Sequence, residues 1–375
     1  MNKRLRTDRA CAYPRQKGAM LITLSLFFIT LSGLAALAFD LGHLLIVRNE
    51  LQNAADAAAL AGANCLNKTS NSAGTDCTST PSSTLNWSVA GLRANAAIGL
   101  NQSDGTALVH ATVSTGYKNL AGTPAGLQTS TPSPVGVYDK PAVMVSLSRS
   151  SGSNGGAPGL LLTAMFNVAP VPISATAVAV ISSPGRVGTG SLIPHAINQC
   201  MFDQYWDSAT NSPKLATSSS LNGVPQTIGQ PWELRIGSSY HYPNCDSGQW
   251  TSFGLDVNDV PSVRDLITNG NPVPLALGDS TWVQPGTKTT LYGDLEDRYP
   301  SPPGADVTLI VVNLPNGLAN KGTTSIVGFA GFHITAIEGG SGKYIQGHFI
   351  KGAVTGGSSG IGPYYGTYTP PRLAQ

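Results

Sequence analysis

His333 and His348 lie in neighbouring β-type runs and are the residues best placed to do chemistry together. The runs Ser325 to Ile337 and Tyr344 to Ile350 flank Glu338-Gly339-Gly340-Ser341-Gly342-Lys343. If Glu338 faces Lys343 across a hairpin, Ile337 faces Tyr344 and His333 faces His348. Paired imidazoles could supply half of a metal site or a pH-sensitive contact. With no carboxylate or thiol at a compatible spacing, the simpler expectation is two polar residues on the solvent face. Gly356-Gly357-Ser358-Ser359-Gly360 has the G-x-S-x-G form, but Ile361-Gly362-Pro363 is a poor start for the helix that a nucleophile elbow needs. Gly340-Ser341-Gly342-Lys343 resembles the end of a phosphate loop, yet Tyr344 stands where Ser or Thr is required, so it reads as a turn. Asp203, Asp207 and the run Asp294-Leu295-Glu296-Asp297 read as surface charge, with a weak calcium site as the alternative. The aromatic residues Tyr205, Trp206, Trp232, Tyr240, Tyr242 and Trp250 fit core packing better than a glycan- or protein-binding surface. No HExxH, GxGxxG or clustered acid pair occurs. The expectation is a protein without catalysis, cofactor, metal or small-molecule substrate.

Cysteine placement points the same way. Of five cysteines, Cys11 precedes the apolar run described next, while Cys65, Cys77, Cys200 and Cys245 all follow it. No CxxC-like spacing suggests zinc. Four cysteines allow three pairings; Cys65 with Cys77 and Cys200 with Cys245 are favoured, because each pair falls inside one candidate module.

The element that must position everything else is the stretch from Ala19 to Phe39, which contains no charged residue. As a helix it spans about 31 Å, the hydrocarbon thickness of a bilayer. Lys3, Arg4, Arg6, Arg9, Arg15 and Lys17 precede it, opposed only by Asp8. This asymmetry predicts a cytoplasmic N-terminal tail and translocation of everything after Asp40, and it explains the basic cluster without nucleic acid. The chain is 11% charged, so solubility beyond the span rests on neutral polar groups, as in exported proteins. Ala36-Leu37-Ala38 has the small-x-small form that signal peptidase reads. Cleavage after Ala38 would give the alternative function, a secreted adhesin or surface-binding protein. Against cleavage, the apolar run is longer than an ordinary signal-peptide core, and helical patterning continues through the site. Beyond Asp40, Leu41, Leu44, Leu45, Leu51, Ala55, Ala58 and Ala59 keep to one side, while Arg48, Asn49, Gln52, Asn53 and Asp56 take the other. Leu51, Ala54, Ala55, Ala58, Ala59 and Gly62 form a small-residue packing motif, directed either at the chain's own next module or at a partner helix.

The run LAALAFDLGHLLIVRNELQNAADAAALAGA, with Gly18 ahead of the apolar segment, resembles the N-terminal segment of TadG-like proteins of Flp (tight adherence) pilus assembly, which are related to TadE-like pseudopilins. The similarity covers Lys17 to Ala63, and ELQNAADAAALAGA is its specific part. It implies a non-enzymatic, single-pass component of the bacterial inner membrane. Its N-terminus would be cytoplasmic, its later domains periplasmic, and its partners the lipid bilayer and other pilus-assembly proteins. A prepilin-type processing site places Glu fifth after the glycine; here that position is Thr23, so the resemblance implies an anchor and not a filament subunit. Some larger TadG-like proteins carry a von Willebrand A metal motif. Its nearest counterpart, Asp76-Cys77-Thr78-Ser79-Thr80, follows a polar stretch instead of a buried strand and does not fit.

The predicted fold is α+β. A basic cytoplasmic tail (1–18) and a transmembrane helix (19–39) lead into a stalk helix with a small pilin-like α+β module (40–185), followed by a β-rich domain (186–375). In the module, a helix is expected at Leu85 to Leu100, strands at Ala107 to Thr115, Ala142 to Arg149 and Val171 to Ile181, and a short helix at Gly159 to Val168. Ser182-Ser183-Pro184-Gly185 marks a boundary. Beyond it, strands at Leu192 to Ile197, Trp232 to Ile236, Trp250 to Val257, Val273 to Leu277, Val307 to Val312, Ser325 to Ile337 and Tyr344 to Ile350 predict a sandwich or barrel-like domain. One helix is expected at Pro261 to Thr268, capped by Asn258 or Asp259.

Overall fold

Alanine and leucine, the strongest helix formers, dominate the chain as far as Ala63, and in the computed structural model one unbroken helix α1 (Ala19–Ala63) of 45 residues results. The structure describes residues 19–374 apart from 83, 132–135, 137, 163–166, 168, 208–209, 285–287, 315–321 and 361. The basic tail 1–18 and half of the helix expected at 159–168 (163–166 and 168) lie outside the described residues. Past α1 come a hairpin of β1 (Lys68–Ser70) and β2 (Cys77–Pro81), helix α2 (Trp87–Ile98), and strands β3 (Ala111–Asn119), β4 (Asp139–Arg149) and β5 (Ile173–Val180). Asn86 caps α2 by accepting the Val89 amide at 3.4 Å. β4 pairs antiparallel with β3 on one side and β5 on the other. β3 starts four residues later than its hydrophobic pattern suggests, because Thr106–Ala107 pairs with Gln102–Ser103 in a tight hairpin of its own.

The upper half of α1 and all of α2 lie on one face of this sheet. β4 turns Val143, Val145 and Leu147 toward them, and β5 turns Ala175, Ala177 and Ala179, following the two-residue alternation of strands. The helices approach closely at Gly62, where an added Cβ would sit 2.8 Å from the Ala90 carbonyl oxygen and 2.9 Å from the Ala94 Cβ.

The second region is β-rich. Its strands are β6 (His195–Asn198), β7 (Leu234–Ile236), β8 (Gly248–Thr251), β9 (Ser280–Gln284), β10 (Ala305–Val312), β11 (Gly322–Glu338) and β12 (Tyr344–Phe349), with helices α3 (Gln199–Tyr205), α4 (Val260–Asn269) and α5 (Thr289–Arg298) between them. Pairing runs β11-β9-β8-β6-β10 and returns from β10 to β11, a barrel-like ring that β12 and β7 extend outward. Asp259 caps α4 by accepting the Ser262 amide at 2.8 Å. The sequence patterns pass over α3, α5 and β9. In α5, Leu291, Tyr292 and Leu295 are buried while Glu296 and Asp297 face solvent, so the acidic run is the outer face of a helix.

The end of the chain crosses back to the first region. Arg372–Leu373 pairs with Val180 and Ala179, becoming an edge strand beside β5. Tyr368 is buried and Tyr364 partly buried against the core that α1 and α2 share. Lys140, buried at the junction, donates to the Ser183 hydroxyl (3.3 Å) and the Gly362 carbonyl (3.4 Å), and burial lowers its pKa to about 8.

Candidate functional site: an exposed apolar helix and its seat

The lower part of α1 has nothing of its own chain around most of its circumference. Every large apolar side chain from Met20 to Phe39 is about half exposed or more, from 49% at Leu31 to 84% at Met20. A patch this long and continuous exceeds what a soluble surface carries. Among the described residues, α1 is the one helix long and apolar enough to cross a membrane. Three of its hydroxyl groups are satisfied within the helix: Thr23 donates to the Met20 carbonyl at 3.0 Å, Ser25 to Leu21 at 2.8 Å and Thr30 to Phe27 at 2.8 Å. Such back-bonding removes the penalty these groups would carry in hydrocarbon.

A buried stripe climbs the other side of the helix. It comprises Ala36, Asp40, Val47, Leu51, Ala54, Ala55, Ala58, Ala59, Gly62 and Ala63, recurring at the three- and four-residue spacing that keeps one face inward. The motif residues Leu51, Ala54, Ala55, Ala58, Ala59 and Gly62 all face α2 and the sheet of the same chain. Two polar contacts mark the lower end of the stripe. The Asp40 carboxylate, 4% exposed, accepts the backbone amides of Leu161 (2.7 Å) and Leu162 (2.8 Å). Between about one and three turns of helix higher, Asp104 accepts from Arg149 (2.8 Å) and contacts His43 Nε2 (3.0 Å), while its backbone amide donates to Glu50 (2.7 Å). The His43 hydrogen bond, aided by Arg149, holds the Asp104 carboxyl below the usual aspartate value despite partial burial.

Two disulfides brace the chain. Cys65–Cys77 (Cα–Cα 5.4 Å) ties the first turn beyond α1 to β2, and Cys200–Cys245 (Cα–Cα 5.9 Å) ties α3 to the loop before β8. Asp76 with Cys65 and Cys77 is the one group of three potential metal ligands among the described residues, and its sulfurs are spent on the bridge. Cys11 lies outside the described residues.

The histidine pair forms, by a different register from the simple hairpin. Glu338 faces Tyr344 and Ile337 faces Ile345, one residue out of step; an irregularity at Thr335 then restores Ile334 to Gly347 and His333 to His348. The rings lie 5.2 Å apart. Each Nδ1 is met by a carboxylate that sequence spacing could not place, His333 by Asp306 (2.6 Å) and His348 by Glu233 (2.7 Å). Thr335, freed by the irregularity, also donates to Glu233 at 2.6 Å. Burial works against ionising Glu233, but the bonds from His348 and Thr335 outweigh it and lower its pKa. His333 Nε2 lies beside Gly304, where a side chain would crowd it, an added Cβ falling 3.1 Å away.

The remaining sequence candidates resolve into structure. Gly357–Ser359 is a short strand paired with Pro184–Val187, and Gly340 to Lys343 form the β11–β12 turn. Tyr205, Trp206, Tyr242 and Trp250 are buried in the core of the second region, and Trp232 packs against it. A cleft of about 760 Å³ opens beside the Cys200–Cys245 bridge, lined by Asn198, Asp203, Tyr242 and Asn244 among others. Burial raises the Asp203 carboxyl pKa there.

Helix α1 therefore defines the class: a chain whose N-terminal helix is long and apolar enough to cross a membrane over its lower part and is built into a folded α+β region over its upper part. Residues 18–64, which contain all of α1, match the model of the Tad family, described as Flp pilus-assembly TadE/G-like. This is a TadG-like N-terminal segment, and it links the chain to Flp pilus assembly. No curated protein and no solved structure matches the chain significantly.

Proposed function

We propose that this protein is a non-enzymatic, single-pass inner-membrane component of Flp pilus assembly. Its N-terminus is cytoplasmic, and its α+β and β-rich regions stand in the periplasm as an interaction platform for other pilus-assembly proteins. The observation that carries the reading is the coincidence of the TadE/G-like segment, residues 18–64, with a helix that is apolar and exposed below Phe39 and built into the fold above Val47. The basic residues before Ala19 support the orientation, and two disulfides suit an oxidising compartment. Membrane fractionation followed by N-terminal sequencing tests it. The intact chain should stay with the inner membrane, and its loss should abolish surface pili. A soluble product beginning at Phe39 would establish the secreted alternative instead.

A further inference from the structure

We propose that the underside of the α+β region is itself a lipid-contacting surface, formed by Leu161, Val171 and the α1 side chains Leu41, Leu45 and Ile46, and seated in the interfacial layer of the bilayer around the top of the span. The inference rests on the anchor reading above and deepens it.

The buried stripe of α1 does not stop where the charge-free run ends. Ala36, one turn inside that run, is 5% exposed, and Asp40 is 4% exposed. The segment that meets Asp40 is Leu161–Leu162, so it lies at the level where the span leaves hydrocarbon. By accepting both amides, the first carboxylate after the span is removed from solvent and from lipid. His43, the next polar side chain, is engaged with Asp104. The outer face of α1 consequently stays apolar for two more turns: Leu41, Leu45 and Ile46 are 58%, 53% and 59% exposed, and the first exposed charge is Arg48. From Phe39 to Ile46 is about 10 Å of helix, enough to cross the roughly 5–8 Å headgroup zone that flanks the hydrocarbon on each side.

The sheet reaches the same level. The Gln52 side chain donates to the Thr176 carbonyl at 3.3 Å, which places Thr176 beside Gln52. The lower end of β5 is fixed by Ile173, which pairs with Arg149, and Arg149 binds the Asp104 that contacts His43, so Val171, two residues before Ile173, lies near the His43 level of α1. At that level Leu161 is 50% and Val171 48% exposed, with Pro170 and Pro172 also exposed. Apolar side chains presented at one height around an apolar span fit an interfacial lipid layer, where burial of each is favourable and no specific partner is needed.

Depth-resolved fluorescence tests this in the full-length protein with Cys11→Ser, reconstituted into phosphatidylcholine–phosphatidylglycerol vesicles. A solvatochromic label goes singly on L161C, V171C, L45C, L31C or I228C. The L161C and V171C labels should lose emission to headgroup-linked nitroxide lipid as strongly as L45C and resist aqueous iodide. I228C, on the distal region, should respond only to iodide. Quenching of L161C and V171C by iodide alone would overturn the proposal, and so would protection from both quenchers, which means protein contact. L31C keeps the two readings apart. If acyl-chain nitroxide quenches L31C while L161C and V171C report water, only the seat fails; if L31C is untouched by lipid nitroxide, the anchor fails as well.

Discussion

Between Met20 and Phe39, α1 turns leucine, isoleucine, phenylalanine and methionine outward; between Val47 and Ala63, it turns mostly alanine inward. On the anchor reading proposed above, one helix meets two solvents, and side-chain size separates them. Lipid tails conform to any shape, so the lower half gains from large side chains that fill the hydrocarbon. A folded sheet and a second helix do not conform, and Ala54, Ala55, Ala58, Ala59 and Gly62 allow their backbones close enough to pack. The lower half is defined by what it exposes, the upper half by what it cannot enlarge.

Truncation of a large side chain should separate the halves most widely. Leu51 is fully buried, so Leu51→Ala should cost about 2–5 kcal/mol through lost burial and a residual cavity. Leu31→Ala, on the exposed half, should leave the folded region within about 0.5 kcal/mol of its starting stability. Urea unfolding of nanodisc-embedded protein, followed by tryptophan fluorescence, measures both; equal losses would erase the distinction. Next in size is the bridge that closes the upper end. Cys65 and Cys77 are 12 residues apart, and on the chain-entropy account removing the bridge by a paired Cys→Ser change costs about 3 kcal/mol. The same unfolding assay should show that loss while membrane retention by the lower half is unchanged.

A third comparison reverses sign between the halves. An added Cβ at Gly62 meets the Ala90 carbonyl at 2.8 Å, whereas at Gly33 it meets nothing within 4 Å. Gly62→Ala should therefore destabilise by about 1–3 kcal/mol through overpacking. Gly33→Ala should be neutral or gain up to about 1 kcal/mol from helix propensity. A Gly62→Ala protein that melts at the wild-type temperature would show that α2 can retreat, and that the small-residue face is not sterically required.

Much of this contrast is legible in the sequence, because charge-free length and helical periodicity are local properties. The span, the stalk, the α+β class and the β-rich second region follow from them. What escaped the sequence depends on distant partners. Asp40 reads as the first charge beyond the membrane, yet the Leu161 and Leu162 amides take it out of water from across more than a hundred residues. Asp306 and Glu233 come to the histidine pair from β10 and from the residue before β7, and no spacing rule relates them to His333 and His348. Helix α3 has only seven residues, and α5, though as long as α4, has neither the side-chain cap nor the early proline and closing glycine that announce α4. The return of Arg372–Leu373 to β5 is a long-range pairing that two residues of sequence cannot announce.

The smallest predicted effect lies where the two halves meet. Asp104 joins the loop after α2 to His43 and Glu50 of α1 and to Arg149 of β4. Its carboxyl is held below the ordinary value of 3.8, chiefly by the His43 hydrogen bond and also by Arg149. A carboxyl with a depressed pKa stabilises the folded state fully above 3.8, and that contribution disappears as the pH falls through the lower folded value. Asp104→Asn should therefore cost about 1 kcal/mol near pH 6, since the group is partly screened by solvent. The gap from wild type should close in strongly acidic solution, as the native carboxyl itself becomes neutral. Unfolding curves for the two proteins between pH 6 and pH 2.5 decide it. A gap that persists unchanged to the acid limit would mean that the side chain contributes shape and hydrogen bonds, and that its charge adds nothing to the stability of the folded region.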